Sequence, residues 1–453
     1  MGNRRTVLFV EWSTRGRDFE ITLPLVYFFE RYLGWETAFV SIFNLPKLLT
    51  LNPDMVIMSN TTGAIENVRM SRIIEKSSIP LFSHVSEGMF RENEIEEFVW
   101  GLNKEEKRFS EVSSGVWSKK SFNMAVKAFP ELDDFYHVTG AVGFDKYSIY
   151  SHEKLDTGKY AKVIGYAAFD FNNIRSKKDD FIRTRGEGFY KKIMDKAHEI
   201  NEILRFVIQK NPDVLFLLKS HPGDHPHEPI EFKGLSEFDN IKYIGKDVGI
   251  VPSISTSDIW LNYNSTTNLE GWLLNKPTIS FNTEEALFSS DILHGSITET
   301  DKFKIQGYIE EFYREGKIDD FDTKDKLRQE LVSDYIGFAD GMNHVRFMSF
   351  LKKHINMINE GQSKPSGWNI SMKMKLRGYF RHGLLSLAKK YENVSCLERW
   401  RFPYSIFDAK DFENKKELLY RDFDRFYVEN EEQIKELYEG WNDVWKDELG
   451  IHR

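Results

Sequence analysis

The sequence predicts an α/β fold of two doubly wound, Rossmann-like halves followed by a helical extension. Three observations predict it. Short apolar runs alternate with helical apolar spacings from residue 6 to 140. The runs are continuous in Val, Ile, Leu and Phe, as in strands buried on both faces and joined by helical crossovers. After a polar stretch the pattern restarts at Lys162 and continues to about residue 300.

Composition agrees with this class. At ~150 residues per domain, 453 residues suggest two or three domains. Charged residues make up 29% and hydrophobic residues 41%, which rules out wholesale disorder. Lys and Arg number 62 against 70 Asp and Glu, and the resulting −8 gives no pull toward nucleic acid. The lone Cys396 excludes an internal disulfide and a Cys-rich zinc module. No apolar run reaches the ~18 residues of a spanning helix. A charge at Glu11 interrupts the first apolar run and predicts a cytoplasmic start. The 36 Phe fall mostly at core spacings, so packing accounts for the 14% aromatic content.

The elements follow in order. In the first half, residues 1–148, strands are expected at 6–12 (TVLFVEW), 37–42, 54–59 (DMVIMS), 80–85 (PLFSHV), 115–118 and 137–140. Helices are expected at 19–33, 60–77, 92–102 and between the last two strands. Residues 145–160 are polar and mark a boundary. In the second half, residues 160–300, strands are expected at 162–169 (KVIGYAAF), 213–218 (DVLFLL), 240–244, 258–262 and 278–281. A charged loop is expected over 175–188, and helices over 189–209 and 266–274. Residues 301–360 read as helical, 361–369 (GQSKPSGWN) as a linker, and 361–453 as a helical tail.

Two such halves suggest a cleft between them, and in open α/β sheets ligands sit beyond the carboxyl ends of strands. Three strand ends carry candidate chemistry. His221, in Lys219-Ser220-His221-Pro222, ends the DVLFLL strand. An imidazole beside Lys219 suits a phosphate, since both donate hydrogen bonds to an anion; a loop histidine without a role is the alternative. His225 and His227 follow, in a spacing that fits no zinc pattern. The second end is Asn264-Ser265-Thr266-Thr267, ahead of the helix carrying Glu270. Its hydroxyls suit a phosphate at a helix N-terminus, or plain N-capping. Glu270 can hold a ribose, or complete a capping box with Thr267. The third is Ser86-Glu87-Gly88 after PLFSHV. Glu87 can act as general base on an acceptor hydroxyl, or be a solvated loop carboxylate.

In this order, Ser86-Glu87-Gly88, His221-Pro222 and Ser265-Thr266 resemble the motif set of bacterial surface-carbohydrate glycosyltransferases that use CMP-linked sugars. That group includes capsular polysialyltransferases and Kdo transferases. Val10-Glu11-Trp12 with Arg17-Asp18, and Thr139-Gly140 with Phe144-Asp145, resemble a looser set of surface-carbohydrate biosynthesis proteins. The resemblance covers residues 6–285. Ser86 departs from it, standing where the family has a first acid.

The resemblance implies a GT-B architecture, with an acceptor domain first and a donor domain second. It implies that Lys219, His221, Asn264, Ser265, Thr266 and Thr267 hold the donor phosphate and Glu270 the ribose. Glu87 is then the base, and Glu11 and Arg17 contact a glycan or glycolipid acceptor. No metal or other cofactor is implied. Two alternatives are a CDP-polyol phosphotransferase of the teichoic-acid polymerase type and a non-catalytic nucleotide-sugar-binding assembly protein. Residues 372–390 are basic, free of acids and interleaved with Leu, Tyr and Phe, which suits an anionic membrane surface or an ordinary packed helix. The mixed-charge stretch 408–449 is expected to pack back on the body, with homodimerisation as a second role.

Overall fold

Every strand among the described residues pairs in parallel with its neighbours. The computed structural model describes residues 5–448 apart from 15, 86–87, 104, 222–227, 246–247, 283–290, 363–367, 374, 377, 381–382 and 385–408. The chain divides into two compact units, residues 1–150 with 333–453, and residues 151–332. The division falls inside the polar boundary stretch. The helical residues 301–360 split at 333, and everything after that position belongs with the first unit.

The first unit has strands β1 (Thr6–Glu11), β2 (Glu36–Ser41), β3 (Met55–Met58), β4 (Leu81–His84), β5 (Ser113–Val116) and β6 (Tyr136–Val138). They form one sheet in the order β2-β1-β3-β4-β5-β6. Each expected strand is present. β5 begins earlier than expected because its first residues are the small hydroxyl pair Ser113-Ser114 rather than an apolar run.

The second unit has β7 (Lys162–Ala167), β8 (Val214–Lys219), β9 (Ile241–Ile244), β10 (Ile259–Asn262), β11 (Thr278–Ser280) and β12 (Ile297–Thr298). Their order is β12-β11-β10-β7-β8-β9. β12 is too short to leave an apolar run. The expected loop at 175–188 is instead largely helical, Phe171–Ser176 and Lys178–Arg185. Lys178–Arg185 buries no residue and so shows no apolar period. Its ends suit the helix dipole, with Asp179 and Asp180 in the first turn and Arg183 and Arg185 in the last.

The C-terminal helices complete the first unit's core. Phe347 and Phe350 of helix Asn343–Asn359, and Phe412, Tyr420, Phe423 and Phe426 of helix Ala409–Glu429, join a cluster with Phe9, Tyr27, Phe28 and Phe29. Tyr27 stacks on Phe423 with centroids 4.7 Å apart, and Phe39 on Phe412 at 4.2 Å. The end of the expected linker is pinned to the same unit. Trp368 Nε1 donates to the Leu51 carbonyl at 2.7 Å, and the Asn369 amide to Ser77 Oγ at 3.1 Å.

One buried carboxylate secures this return of the chain. Asp145 accepts from the amides of Asn343 (3.1 Å) and His344 (2.8 Å), capping a helix that starts about 200 residues later. It also meets His344 Nδ1 at 2.8 Å, and His344 Nε2 meets the Tyr427 hydroxyl at 2.8 Å. Gly140 fits the same joint: its φ is +82°, and a Cβ there would stand 1.7 Å from Asn343 Oδ1. The Thr139-Gly140…Phe144-Asp145 motif is therefore a socket for the returning helix.

Replacing Asp145 with Ala should destabilise the protein by about 3–5 kcal/mol, since it leaves buried amides and an imidazole without their acceptor. Limited proteolysis should then release the 409–448 helices first. An unchanged denaturant midpoint would show that the joint does not depend on this carboxylate.

Candidate functional site

In a doubly wound sheet the chain's progress reverses at one point, and the loops that diverge there leave room beyond the strand ends. In the second unit this point lies between β7 and β10. Two of the three candidate strand ends, with several residues not singled out, converge around it.

β8 delivers Lys219 and His221. Lys219 is buried, and its Nζ donates to the carbonyls of Ser220 (3.2 Å) and Gly245 (3.1 Å), closing the loops after β8 and β9. His221 is partly exposed, with Nδ1 3.2 Å from Oδ1 of Asp170, just past β7. Burial raises the Asp170 pKa, but His221, Asn173 and Lys177 outweigh it and hold the carboxyl below its ordinary value. An ionised Asp170 thus orients the imidazole, as carboxylates commonly orient histidines. Asp170 was legible only as the polar residue ending KVIGYAAF. Pro222, His225 and His227 lie outside the described residues.

β10 delivers Asn264 to Thr267. Asn264 has φ +44°, a left-handed conformation that asparagine tolerates, and its amide donates to Asn282 Oδ1 at 3.0 Å. Ser265 Oγ accepts from the amide of Thr267 (3.2 Å) and from its hydroxyl (3.0 Å), so it serves the first amide of helix Thr267–Leu273 from just before the cap residue Thr266. Thr267 Oγ1 in turn accepts from Trp260 Nε1 at 3.0 Å. Thr266 is exposed, and Glu270 is half-buried one turn into the helix.

Beneath these residues runs a buried amide network that sequence reasoning missed. Asn262 Nδ2 donates to Asn268 Oδ1 at 2.6 Å. Ser280 Oγ sits 2.9 Å from both Asn262 Oδ1 and Asn282 Oδ1. Asn268 Nδ2, Asn282 Nδ2 and the Tyr263 hydroxyl are buried without a hydrogen-bond partner among the described residues. Buried donors in this state mark a place for water or a ligand. Their signal in the sequence is faint: Asn262 and Asn282 end or follow short apolar runs, and Asn268 follows the Ser265-Thr266-Thr267 cluster.

In the first unit the corresponding reversal lies between β1 and β3. Glu11 ends β1 and bridges this gap. It is buried, and it accepts from the amide of Ser59 at 2.8 Å and from the Ser59 hydroxyl. Burial, then the nearby Asp18, pushes its pKa well above the ordinary carboxylate value, against the Ser59 hydrogen bonds. Both its oxygens are thus engaged within the fold. Trp12 Nε1 donates to Asn67 Oδ1 at 2.6 Å, and Asp18 accepts from the Ser13 amide at 3.1 Å. Arg17 lies in helix Gly16–Tyr27, with its side chain outside the description. Ser86 and Glu87 are also outside it. Gly88 is described, and a Cβ there would stand 2.3 Å from the Trp117 ring, so packing alone demands the glycine.

Among the described residues, no helix is long and apolar enough to cross a membrane. No protein-family model matches the sequence, and no curated protein matches it. Solved structures do match. S. aureus MnaA, in a co-structure with UDP, aligns with a TM-score of 0.51 at 14% identity, over 78% of this chain and 98% of that one. A Listeria monocytogenes protein assigned as a UDP-N-acetylglucosamine 2-epimerase aligns at 0.53 and 14%, over 81% and 100%. A further UDP-N-acetylglucosamine 2-epimerase aligns at 0.53 and 14%, over 78% and 96%. The chain therefore has the GT-B-like fold of two Rossmann-type units, carrying additional C-terminal helices.

Proposed function

We propose that this protein binds a nucleotide sugar at the carboxyl ends of β7, β8 and β10 and transfers its sugar to a hydroxyl of a surface polysaccharide or glycolipid. The observation that carries this reading is the reversal point of the second sheet. There an Asp170-oriented His221 lies among strand-end loops, above buried amides with unused donors.

In this reading His221 donates to the donor phosphate, and Asn264, Thr266 and Thr267 line its approach. Ser265 and Lys219 hold the loops in place rather than the ligand. Glu270 contacts the ribose. We assign Glu87 as the base: it takes the proton of the acceptor hydroxyl as the acceptor oxygen bonds to the anomeric carbon. The anomeric carbon–phosphate oxygen bond breaks, and the nucleotide leaves with the electron pair. Hydrogen-bond donors aimed at the leaving phosphate stabilise the charge that develops there. Transfer on these terms needs no metal, so chelation by EDTA should leave it unchanged. Arg17 remains an acceptor contact in the proposal, whereas Glu11 acts through the fold.

The motif order favours a CMP-linked acidic sugar such as Kdo or sialic acid. A second reading, favoured by the fold shared with UDP-sugar proteins, is a UDP-sugar substrate that the enzyme rearranges without an acceptor. Calorimetric titration with CMP and UDP, followed by incubation of each nucleotide sugar with and without acceptor, separates them. His221→Ala should weaken nucleotide binding about tenfold, or ~1.4 kcal/mol, and Asp170→Asn by less. Glu87→Ala should leave binding intact and abolish transfer. Normal turnover in Glu87→Ala removes that residue from the mechanism, and no binding of either nucleotide overturns the reading.

We propose that the stretch 372–390, of which 374, 377, 381–382 and 385–390 lie outside the described residues, meets an anionic lipid surface. Met372, Leu376, Tyr379 and Phe380 follow i, i+4, i+7, i+8 spacing and are 56–72% exposed, next to Lys373 and Lys375. The protein should co-sediment with phosphatidylserine vesicles and not with phosphatidylcholine vesicles. Loss of co-sedimentation should follow Leu376→Ser with Phe380→Ser, and equal binding to both vesicle types would contradict the placement.

A further inference from the structure

The first unit holds a cavity of about 240 Å³ on the side of its sheet covered by helix Ile95–Trp100. It is lined by the loop 59–63 after β3, by Ser83 and Val85 of the β4 end, by Ser114 of β5, and by Phe98 and Glu111. None of these residues has a role in the nucleotide reading, and the cavity lies wholly within one unit.

Glu111 is its unusual member. The residue is 8% exposed. Its Oε1 accepts from Thr61 Oγ1 at 2.5 Å and from Ser83 Oγ at 3.1 Å, and Ser83 Oγ lies 2.8 Å from Ser114 Oγ. Its Oε2 is buried without a hydrogen-bond partner among the described residues. Burial raises its pKa, against the Thr61 hydroxyl, nearby backbone amides and the Ser83 hydroxyl. A buried carboxyl oxygen that the protein leaves unserved is costly unless something else supplies the partner.

The lining specifies what that partner is. Glu94 and Glu97 stand with Glu111 on the wall, which among the described residues carries no Lys, Arg or His. Phosphates and carboxylates are therefore repelled. A hydroxyl serves Glu111 in either protonation state, because it both donates and accepts. Ser59, Thr61, Ser83 and Ser114 extend the same hydroxyl chemistry along the wall, and Val85 and Phe98 provide apolar surface. The volume lies below the roughly 300–1,000 Å³ of sites for drug-sized ligands, so it suits a single small unit.

We propose that this cavity is a binding site for an uncharged polyol the size of one sugar unit, with Glu111 Oε2 accepting its hydroxyl. The site stands apart from the nucleotide reading and survives its failure. Ligand-observed NMR on the full chain, with N-acetylglucosamine, glucose and glucuronate as probes, tests it. The neutral sugars should give saturable binding, and glucuronate at least tenfold weaker binding. Glu111→Gln, close to isosteric, should weaken the neutral sugars about tenfold. Should that variant fail to fold, Val85→Phe fills the cavity from a side chain that makes no hydrogen bond to Glu111, and it should abolish binding. Neutral sugars that fail to saturate, glucuronate binding as tightly as glucose, or full binding in a folded Val85→Phe protein would each overturn the proposal.

Discussion

The carboxylate of Asp145 holds together what the sequence separates. The first unit is assembled from residues 1–150 and 333–453, with the whole second unit inserted between them. A helix that returns from so far must have its first amides satisfied, and its entry point is buried. Asp145 supplies an acceptor to two of those amides and to the His344 imidazole at once. A charged acceptor at a helix N-terminus is favoured by the dipole as well as by the hydrogen bonds. Once helix Asn343–Asn359 is seated, Phe347 and Phe350 reach the β-sheet core, and the Ala409–Glu429 helix packs its aromatic face against Tyr27 and Phe39. The aromatic richness of the chain follows from this arrangement, since the extra helices need a large apolar face to bind.

Parallel sheets concentrate their remaining polarity at one edge, because both faces of each strand are covered by helices. The two units use that edge differently. In the first, Glu11 and Ser59 tie the diverging strands β1 and β3 together. In the second, the corresponding edge is left with an oriented imidazole and with amide donors that the described protein does not use. The contrast explains why the nucleotide reading belongs to the second unit. Glu111 Oε2, one of several unserved atoms in the first unit, lies elsewhere, on the sheet face, and its acidic surroundings suit a neutral ligand instead.

The fold was legible because its strands are buried runs that no amphipathic helix imitates. Runs such as DVLFLL and TVLFVEW gave the strands, and their restart gave the second unit. Elements without an apolar signature were not legible. Lys178–Arg185 buries nothing, and Ile297–Thr298 spans two residues. For the sites, position at a strand end identified His221, but not the residue that orients it. Asp170 lies 51 positions away and meets His221 only through the adjacency of β7 and β8. The same limit hid Asn268, Asn282 and Glu111, whose significance rests on a partner atom that is absent rather than on a motif. Glu11, Gly88 and the Thr139–Asp145 stretch carry structural duties that a short motif cannot distinguish from chemistry.

A nucleotide held by the second unit's strand-end loops would slow the exchange of their amides. Hydrogen–deuterium exchange of the full chain, with and without saturating CMP or UDP, tests it most directly. Slowed exchange is expected in 168–173, 219–221 and 262–282, where Asp170, His221 and the buried amides lie. Protection confined to residues 1–150, or none anywhere at saturating nucleotide, would contradict it.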